Sequence, residues 1–431
     1  MDTGSGKIGL WQTTSLVTGN LVGSGVFMLP ALLASYGTIS LLGWLITSLG
    51  AILLALVYAS LSEKIHSCNG GPHTFVQAAF GNDAAFFTAW GYWILTWSSN
   101  TALLVAAMSY LVKITGPLST FEMLLLQTGL WVMITLINCY GVQTAARFEL
   151  GITVLKLIPI IAIPMVAVFY LDFSRFYPLI ESSYSGSYLG ALQGTVFLTL
   201  WAFIGVESAT VPSKDVENPA RTIGMATILG TSLAALVYIL GSSAAIGVLG
   251  NQTLMQSQAP YADLANTVFG GHWGVFVSGC AVISCIGSLN GWTMVVARIA
   301  QGAADQGLFL NVFAKKDSIG TPVSGILISS ACTFVCILLT LQENMLSQFN
   351  VIVEIAVTII LLIYLVCCCA YFVICCPESV TGRFIGFGAL VFSLFALYSS
   401  GIKMVLLAVA LLLTGIPFRG KDCTAFVSTK K

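Results

Sequence analysis

The chain has 431 residues, of which 57% are hydrophobic and only 8% charged, with a mean hydropathy of +0.93. A water-soluble domain carries roughly a quarter charged residues, so this chain lacks the charge to cover a water-facing surface and reads as a membrane protein. Its 17 basic and 17 acidic residues cancel, which leaves no basic surface to neutralise phosphates and excludes a nucleic-acid partner.

A helix rising about 1.5 Å per residue needs about 20 apolar residues to cross a ~30 Å hydrocarbon layer. In chain order, stretches that meet this requirement fall near 10–36, 40–62, 84–112, 120–139, 148–171, 188–212, 222–249, 272–303, 321–341, 348–375, 383–401 and 403–418. The predicted fold is therefore all-α and polytopic, with about twelve transmembrane helices. The first stretch far exceeds the roughly 7–15-residue core of a cleavable signal and has no small-residue cleavage site after it, so it is read as a retained span. No soluble domain, linker or low-complexity tract interrupts the series, and residues 1–431 read as a single integral membrane domain.

Charge placement tests the span count independently. With a cytoplasmic N-terminus, the inner segments hold Lys7, Lys64, Arg147, Lys214, Arg221, Arg298, Lys315, Lys316, Arg383, Arg419, Lys421, Lys430 and Lys431. The outer segments hold only Lys113, Arg175 and Lys403, and Lys156 falls inside a span. Lys and Arg concentrate on the cytoplasmic side of membrane proteins, so both termini are predicted to be cytoplasmic. The 12 cysteines sit largely in apolar runs, such as Cys367, Cys368 and Cys369, and the three histidines (His66, His73, His272) make no zinc spacing with them. They read as small buried hydrophobes, and no metal or cofactor is expected.

Two spans carry interruptions. The first contains Gly19, Gly23, Ser24 and Gly25 within seven residues, followed by Pro30. Each glycine weakens a helix by roughly 1 kcal/mol. Two readings stand: a small-residue packing face, since Gly19 and Gly23 are four apart, or an unwound segment that presents bare peptide groups to a charged solute. The sixth span favours the second reading, because it carries Gly205 and a mid-span carboxylate, Glu207. Paired interruptions in spans 1 and 6 are the pattern of a 5+5 inverted-repeat transporter. The repeats would occupy about 10–171 and 188–375, with accessory helices at about 383–418.

The stretches GNLVGSGVFMLP (19–30), TLWAFIGVESA (199–209), DVENPAR (215–221) and GSLNGWT (287–293) resemble the amino acid–polyamine–organocation superfamily. Within it they look like the basic amino acid/polyamine antiporters, the arginine/agmatine and putrescine/ornithine exchangers. The similarity runs from about residue 7 to 401, and SQFNVIVEIAV (347–357) and LFALYSSG (394–401) lean toward the putrescine/ornithine members. The resemblance implies that Ser24 and Gly25 hold a substrate carboxylate. It implies that the carbonyls of Leu21, Trp201 and Ile204 hold the α-amino group, with Trp201 as a gate. Trp292 would stack on the substrate side chain, Asn100 would contribute from helix 3, and Glu207 would be the protonation-linked residue. The pattern departs at Gln77, Ile402 and Lys403, where the polyamine exchangers carry acids.

Several of these residues also have a physical reading. A mid-span carboxylate such as Glu207 costs roughly 2.5–3.5 kcal/mol on insertion scales, so it is paired, cavity-facing or protonated; coupling and a structural bond to unwound backbone both remain open. Trp201 and Trp292 lie mid-span, away from interfacial belts, and an indole face gains about 2 kcal/mol over a desolvated cation. Asn100 is equally suited to a substrate amine or to joining two helices. Lys156 resembles the helix-5 lysine of proton-coupled carriers in the superfamily, where an ammonium stands in the place of a coupling sodium. Glu354 is a second intramembrane acid, read as lining the pathway or bonding a neighbouring helix. The expected function is secondary active transport of cationic amino acids or polyamines by antiport. The alternative is proton symport through Lys156 or Glu207. Expected partners are the small solute, protons, the bilayer of a bacterial inner membrane and a second copy of the chain. An intramembrane enzyme is not expected, since no histidine lies securely beside a candidate nucleophile, and no ring of charge suggests a channel.

Overall fold

Lipid offers backbone N–H and C=O groups no partners, so a chain this apolar must satisfy them within each segment, and helices do so. In the computed structural model, which describes residues 8–65, 71–140, 142–211, 216–317, 320–341 and 345–420, helices dominate. Extended pairing among these residues is confined to two isolated bridges, Ile8 with Val216 and Phe309 with Arg419. The first span is divided into α1 (Leu10–Leu21) and α2 (Ser24–Ala34), followed by α3 (Ser40–Lys64), a short α4 (Pro72–Phe80), α5 (Asn82–Thr115) and α6 (Thr120–Cys139). Next come α7 (Val142–Ala167), α8 (Tyr188–Leu200), α9 (Pro219–Leu249), the short α10 (Asn251–Gln256) and α11 (Pro260–Phe269), and α12 (Trp273–Asp305). The series ends with α13 (Val323–Thr340), α14 (Met345–Cys375) and α15 (Val380–Leu413).

Among the described residues, 9 helical stretches are long and apolar enough to cross a membrane, and Lys156–Tyr170 and Val323–Leu339 are shorter apolar helices. The last two predicted spans are the two halves of α15, two helices that meet at Gly401, whose φ of 77° and ψ of 153° are non-helical. Glycine has no Cβ to oppose a positive φ, so a single residue suffices for the junction between them. The sequence reading also missed α4, α10 and α11, which are too short for a span criterion. The calls on Lys7, His66, Lys214, Lys421, Lys430 and Lys431 lie outside the described residues.

Burial separates the core from the lipid face. The most apolar window of Leu10–Ala34 and that of Asn82–Thr115 are each 89% buried, against 28% for Thr120–Cys139 and 11% for Val380–Phe418. The first span and α5 are thus the centre, and α6 and α15 turn Phe121, Leu125, Leu136, Leu406 and Leu413 outward. Such faces would be an aggregation liability in water and are in place against acyl chains. α5 lies along α12 and α14, and α3 along α9. At the end of the bundle that holds both ends of the described chain, Trp90, Trp93, Phe309 and Phe313 form one aromatic cluster. Phe418 stacks on Trp90, and Arg419 pairs with Asp83.

Candidate functional site

The glycine-rich stretch of the first span is a true interruption. Val22 (φ −78°, ψ 77°) ends α1 and Gly23 (φ −119°, ψ −131°) starts α2, with no side chain capping the N-terminus of α2. The first N–H groups of a helix have no intrahelical acceptor, so the amides from Ser24 onward are a positive, bare-backbone pole. The carbonyls at the end of α1 are the complementary negative pole. Gly19 O accepts from Lys156 Nζ at 2.6 Å and from Ser288 Oγ at 3.1 Å. Asn20 O accepts from Trp292 Nε1 at 3.3 Å, and Leu21 O from the Tyr238 hydroxyl at 2.7 Å.

The sixth span breaks beside it. After α8 the chain makes a 3-10 turn at Trp201–Phe203, turns extended at Ile204 (φ −65°, ψ 121°), and passes Gly205 at φ +118° before a second 3-10 turn at Ser208–Thr210. A side chain at Gly205 would be strained by that φ and would stand 3.1 Å from Trp292 Cζ2. The two breaks are joined by Tyr238, whose hydroxyl also lies 2.9 Å from Ala202 O, and by Trp201 Nε1, 3.3 Å from Ser24 Oγ.

Between them lies a cavity of ≈ 20 Å³ lined by Asn20, Leu21, Gly23, Ser24, Gly25, Ser99, Leu103, Trp201, Ala202, Ile204 and Trp292. That volume admits about one water, so the conformation is closed around its centre. Six of the residues assigned to the solute from the sequence, Leu21, Ser24, Gly25, Trp201, Ile204 and Trp292, meet here. Asn100 does not line the cavity. It is fully buried in α5, and its amide atoms have no hydrogen-bond partner among the described residues. The α5 wall is instead made by Ser99 and Leu103.

Glu207 is fully buried and stands behind the second break. Its carboxylate accepts from the Tyr92 hydroxyl of α5 and the Tyr364 hydroxyl of α14, each at 2.7 Å, and from Gly205 N–H at 3.3 Å. These bonds tie the broken segment to two other helices. Lys156, 1% exposed, also bonds Ser288 Oγ at 3.0 Å, so an ammonium sits at the negative end of α1. Glu354 is away from this centre, in a separate open cavity of ≈ 670 Å³ lined from α2, α8, α14 and α15, where Asn350 Nδ2 donates to its Oε1 at 2.8 Å. The Trp201 and Phe349 rings meet edge-on with centroids 5.8 Å apart; Trp201 lines the central cavity, and Asn350, the residue after Phe349, lines the open one.

Sequence reasoning assigned no role to Tyr238, Tyr364 or Ser288. The signal was there for the tyrosines, because a phenol in mid-span must find a partner for its hydroxyl, but the partner's identity is a tertiary fact.

A family profile described as "Amino acid permease" matches residues 8–418. The putrescine transporter PotE of Escherichia coli K12 is 30% identical over 413 residues, covering 93% of each chain. The cadaverine/lysine antiporter of the same organism is 36% identical over 351 residues, covering 78% of this chain and 76% of that one. The putrescine transporter PotE of Haemophilus influenzae is 30% identical over 441 residues, covering 100% of this chain and 99% of its own.

Proposed function

The chain belongs to the amino acid permease family, and on that premise we propose that it is a secondary carrier that exchanges a cationic amino acid for an amine of the putrescine or cadaverine type. It is a multi-pass membrane protein of a family of transporters. The observation that carries the substrate assignment is the meeting of two helix breaks around one cavity walled by two indoles. The amides of Ser24 and Gly25 take the carboxylate. The carbonyls of Leu21, Trp201 and Ile204 take the α-amino group, and Trp201 and Trp292 offer their faces to a cationic side chain.

Alternating access follows from what closes each side. In this reading Trp201, whose ring meets Phe349 edge-on, is the gate on the side of Phe197 and Asn350, which line the open cavity. Glu207 with Tyr92 and Tyr364, backed by the aromatic cluster around Trp90 and Phe309, closes the route to the end where the termini lie. Residues 10–171 and 188–375 act as inverted repeats that rock around the fixed site. The termini are cytoplasmic, which makes the open cavity extracellular. Glu207 and Lys156, the fully buried ionisable side chains at the two breaks, are the candidates for proton linkage. The lipid faces of α6 and α15 leave surface for a second copy.

Purified protein in proteoliposomes tests this. Internal lysine or cadaverine should accelerate uptake of labelled lysine about tenfold or more over empty vesicles. Uptake that needs no internal amine and follows an acid-outside gradient alone would refute exchange in favour of symport.

A further inference from the structure

The open cavity that holds Glu354 has a chemistry that the central site lacks. At ≈ 670 Å³ it falls among pockets that hold small molecules, whereas the central cavity admits about one water in the same conformation. Its lining includes Phe197 and Leu198 of α8, about one turn before Trp201, and Asn350 of α14, the residue after Phe349, so it is built on the turns that lead into the pair closing the central cavity. Its walls carry one carboxylate, Glu354 on α14, and one ammonium, Lys403 at the start of the second half of α15. Among the described residues neither takes part in a salt bridge. Glu354 is half-buried and positioned by Asn350, while Lys403 is exposed and reaches from the rim. Between Ser400 and Lys403 the wall is formed by Gly401, which has nothing within 4 Å of where a Cβ would stand, and Ile402.

From this placement we infer that the cavity is a first docking site for an amino acid with a cationic side chain, Glu354 taking the side-chain cation and Lys403 the carboxylate. The inference rests on the exchanger reading and names the substrate class admitted at this face. A diamine carries no carboxylate, so Lys403 repels it where it attracts the amino acid. The central site reads backbone ends that the amino acid and its amine share only in part. The cavity reads the whole charge pattern before the gate opens. It therefore sets which solute this face admits at low concentration: the amino acid loads here more readily than its decarboxylated amine. Glu354 is then a docking group and not a proton carrier.

The test is initial-rate exchange in oriented proteoliposomes preloaded with lysine, with labelled lysine or labelled cadaverine presented at the face opposite the termini. Lys403→Gln should raise KM for lysine about five- to tenfold and lower it for cadaverine, with the maximal rate unchanged. Lys403→Arg should keep the original ratio. Glu354→Gln should raise KM for both. If Lys403→Gln and Glu354→Gln both exchange with the original KM values, the docking site is refuted and the carrier reading stands. If the unaltered protein exchanges neither compound, both readings fall together. A drop in maximal rate alone, with KM constant, would mean that Glu354 serves a later step and would likewise overturn the proposal.

Discussion

Gly25 is where a single methyl should decide binding. A Cβ there would stand 3.0 Å from Ala202 Cβ, 3.2 Å from Ala202 Cα and 3.4 Å from Trp201 Cδ1. Carbon atoms prefer about 3.5–4.0 Å, so α2 and the second break would have to separate by about half an ångström. The neighbour is main chain and cannot rotate away, and Tyr238 holds Ala202 O at 2.9 Å. Overpacking of this kind costs about 1–3 kcal/mol, equivalent to roughly 5- to 150-fold in a dissociation constant. The methyl also occupies the approach to the α2 amides, so the loss should fall on the bound state and not only on the empty one. Gly25→Ala should therefore bind labelled lysine at least tenfold more weakly, measured by scintillation proximity on purified protein that elutes as the unaltered protein does. Gly129→Ala is the control, because nothing lies within 4 Å of its Cβ position. Affinity within twofold of the original in Gly25→Ala, or an equal loss in Gly129→Ala, would refute the site.

Lys156→Met keeps the length of the side chain but removes the charged donor from Gly19 O and Ser288 Oγ. Charge-assisted bonds contribute about 1.5–3 kcal/mol each, so the melting temperature in detergent should fall clearly, and an unchanged midpoint would contradict the bonding described. Trp201→Leu and Trp292→Leu should each weaken binding of a cationic amino acid by up to about 30-fold and that of a neutral one much less; equal losses in a competition panel would remove the cation–indole argument. His73 on α4 is fully buried with neither ring nitrogen bonded among the described residues, and burial pulls its pKa from 6.5 to about 3. The unfolded chain binds a proton between those values and the folded one does not, so stability falls as pH drops below about 6.5, by up to ~1.4 kcal/mol per pH unit. His73→Leu should flatten that slope in thermal melts between pH 7 and 4.5, and an unchanged slope would place the acid sensitivity elsewhere.

Hydropathy located the spans because lipid imposes one length on every helix. It placed a boundary at 401–403, where Gly401 divides α15, but did not register α4, α10 and α11, which are too short to span. The breaks were legible because Gly23, Gly25 and Gly205 are where a helix is weakest, and the structure interrupts both spans there. Asn100 shows the limit of reading positions from a stretch. It is one residue beyond Ser99, which turns it by about 100° around α5, and Ser99 with Leu103, one helical turn on, faces the cavity instead. Glu207 was legible as an intramembrane acid. Its partners Tyr92 and Tyr364 are 115 and 157 residues away in sequence, and no local pattern connects them. The same holds for Ser288 and Lys156, which meet at Gly19 from two other helices.

The two poles of the first break differ in how they are satisfied, and under the proposed exchange this would set the order in which a solute is taken. The α2 amides have no side-chain cap, so a carboxylate displaces no protein group. The carbonyl pole is already served: Lys156 and Ser288 on Gly19, Trp292 on Asn20, and Tyr238 on Leu21. Tyr238 is the replaceable member. Its hydroxyl has one proton, yet stands 2.7 Å from Leu21 O and 2.9 Å from Ala202 O, so it serves one carbonyl fully only by neglecting the other. An ammonium brings three donors and a charge. It can take Leu21 O while Tyr238 turns wholly to Ala202 O, and no carbonyl is orphaned by the change. Carboxylate first, ammonium second, is the sequence in which no buried polar group is left unpaired. The shared hydroxyl spans both breaks, so under the proposed exchange a seated ammonium would change the bond that joins them and couple occupancy to the relative position of the two broken segments.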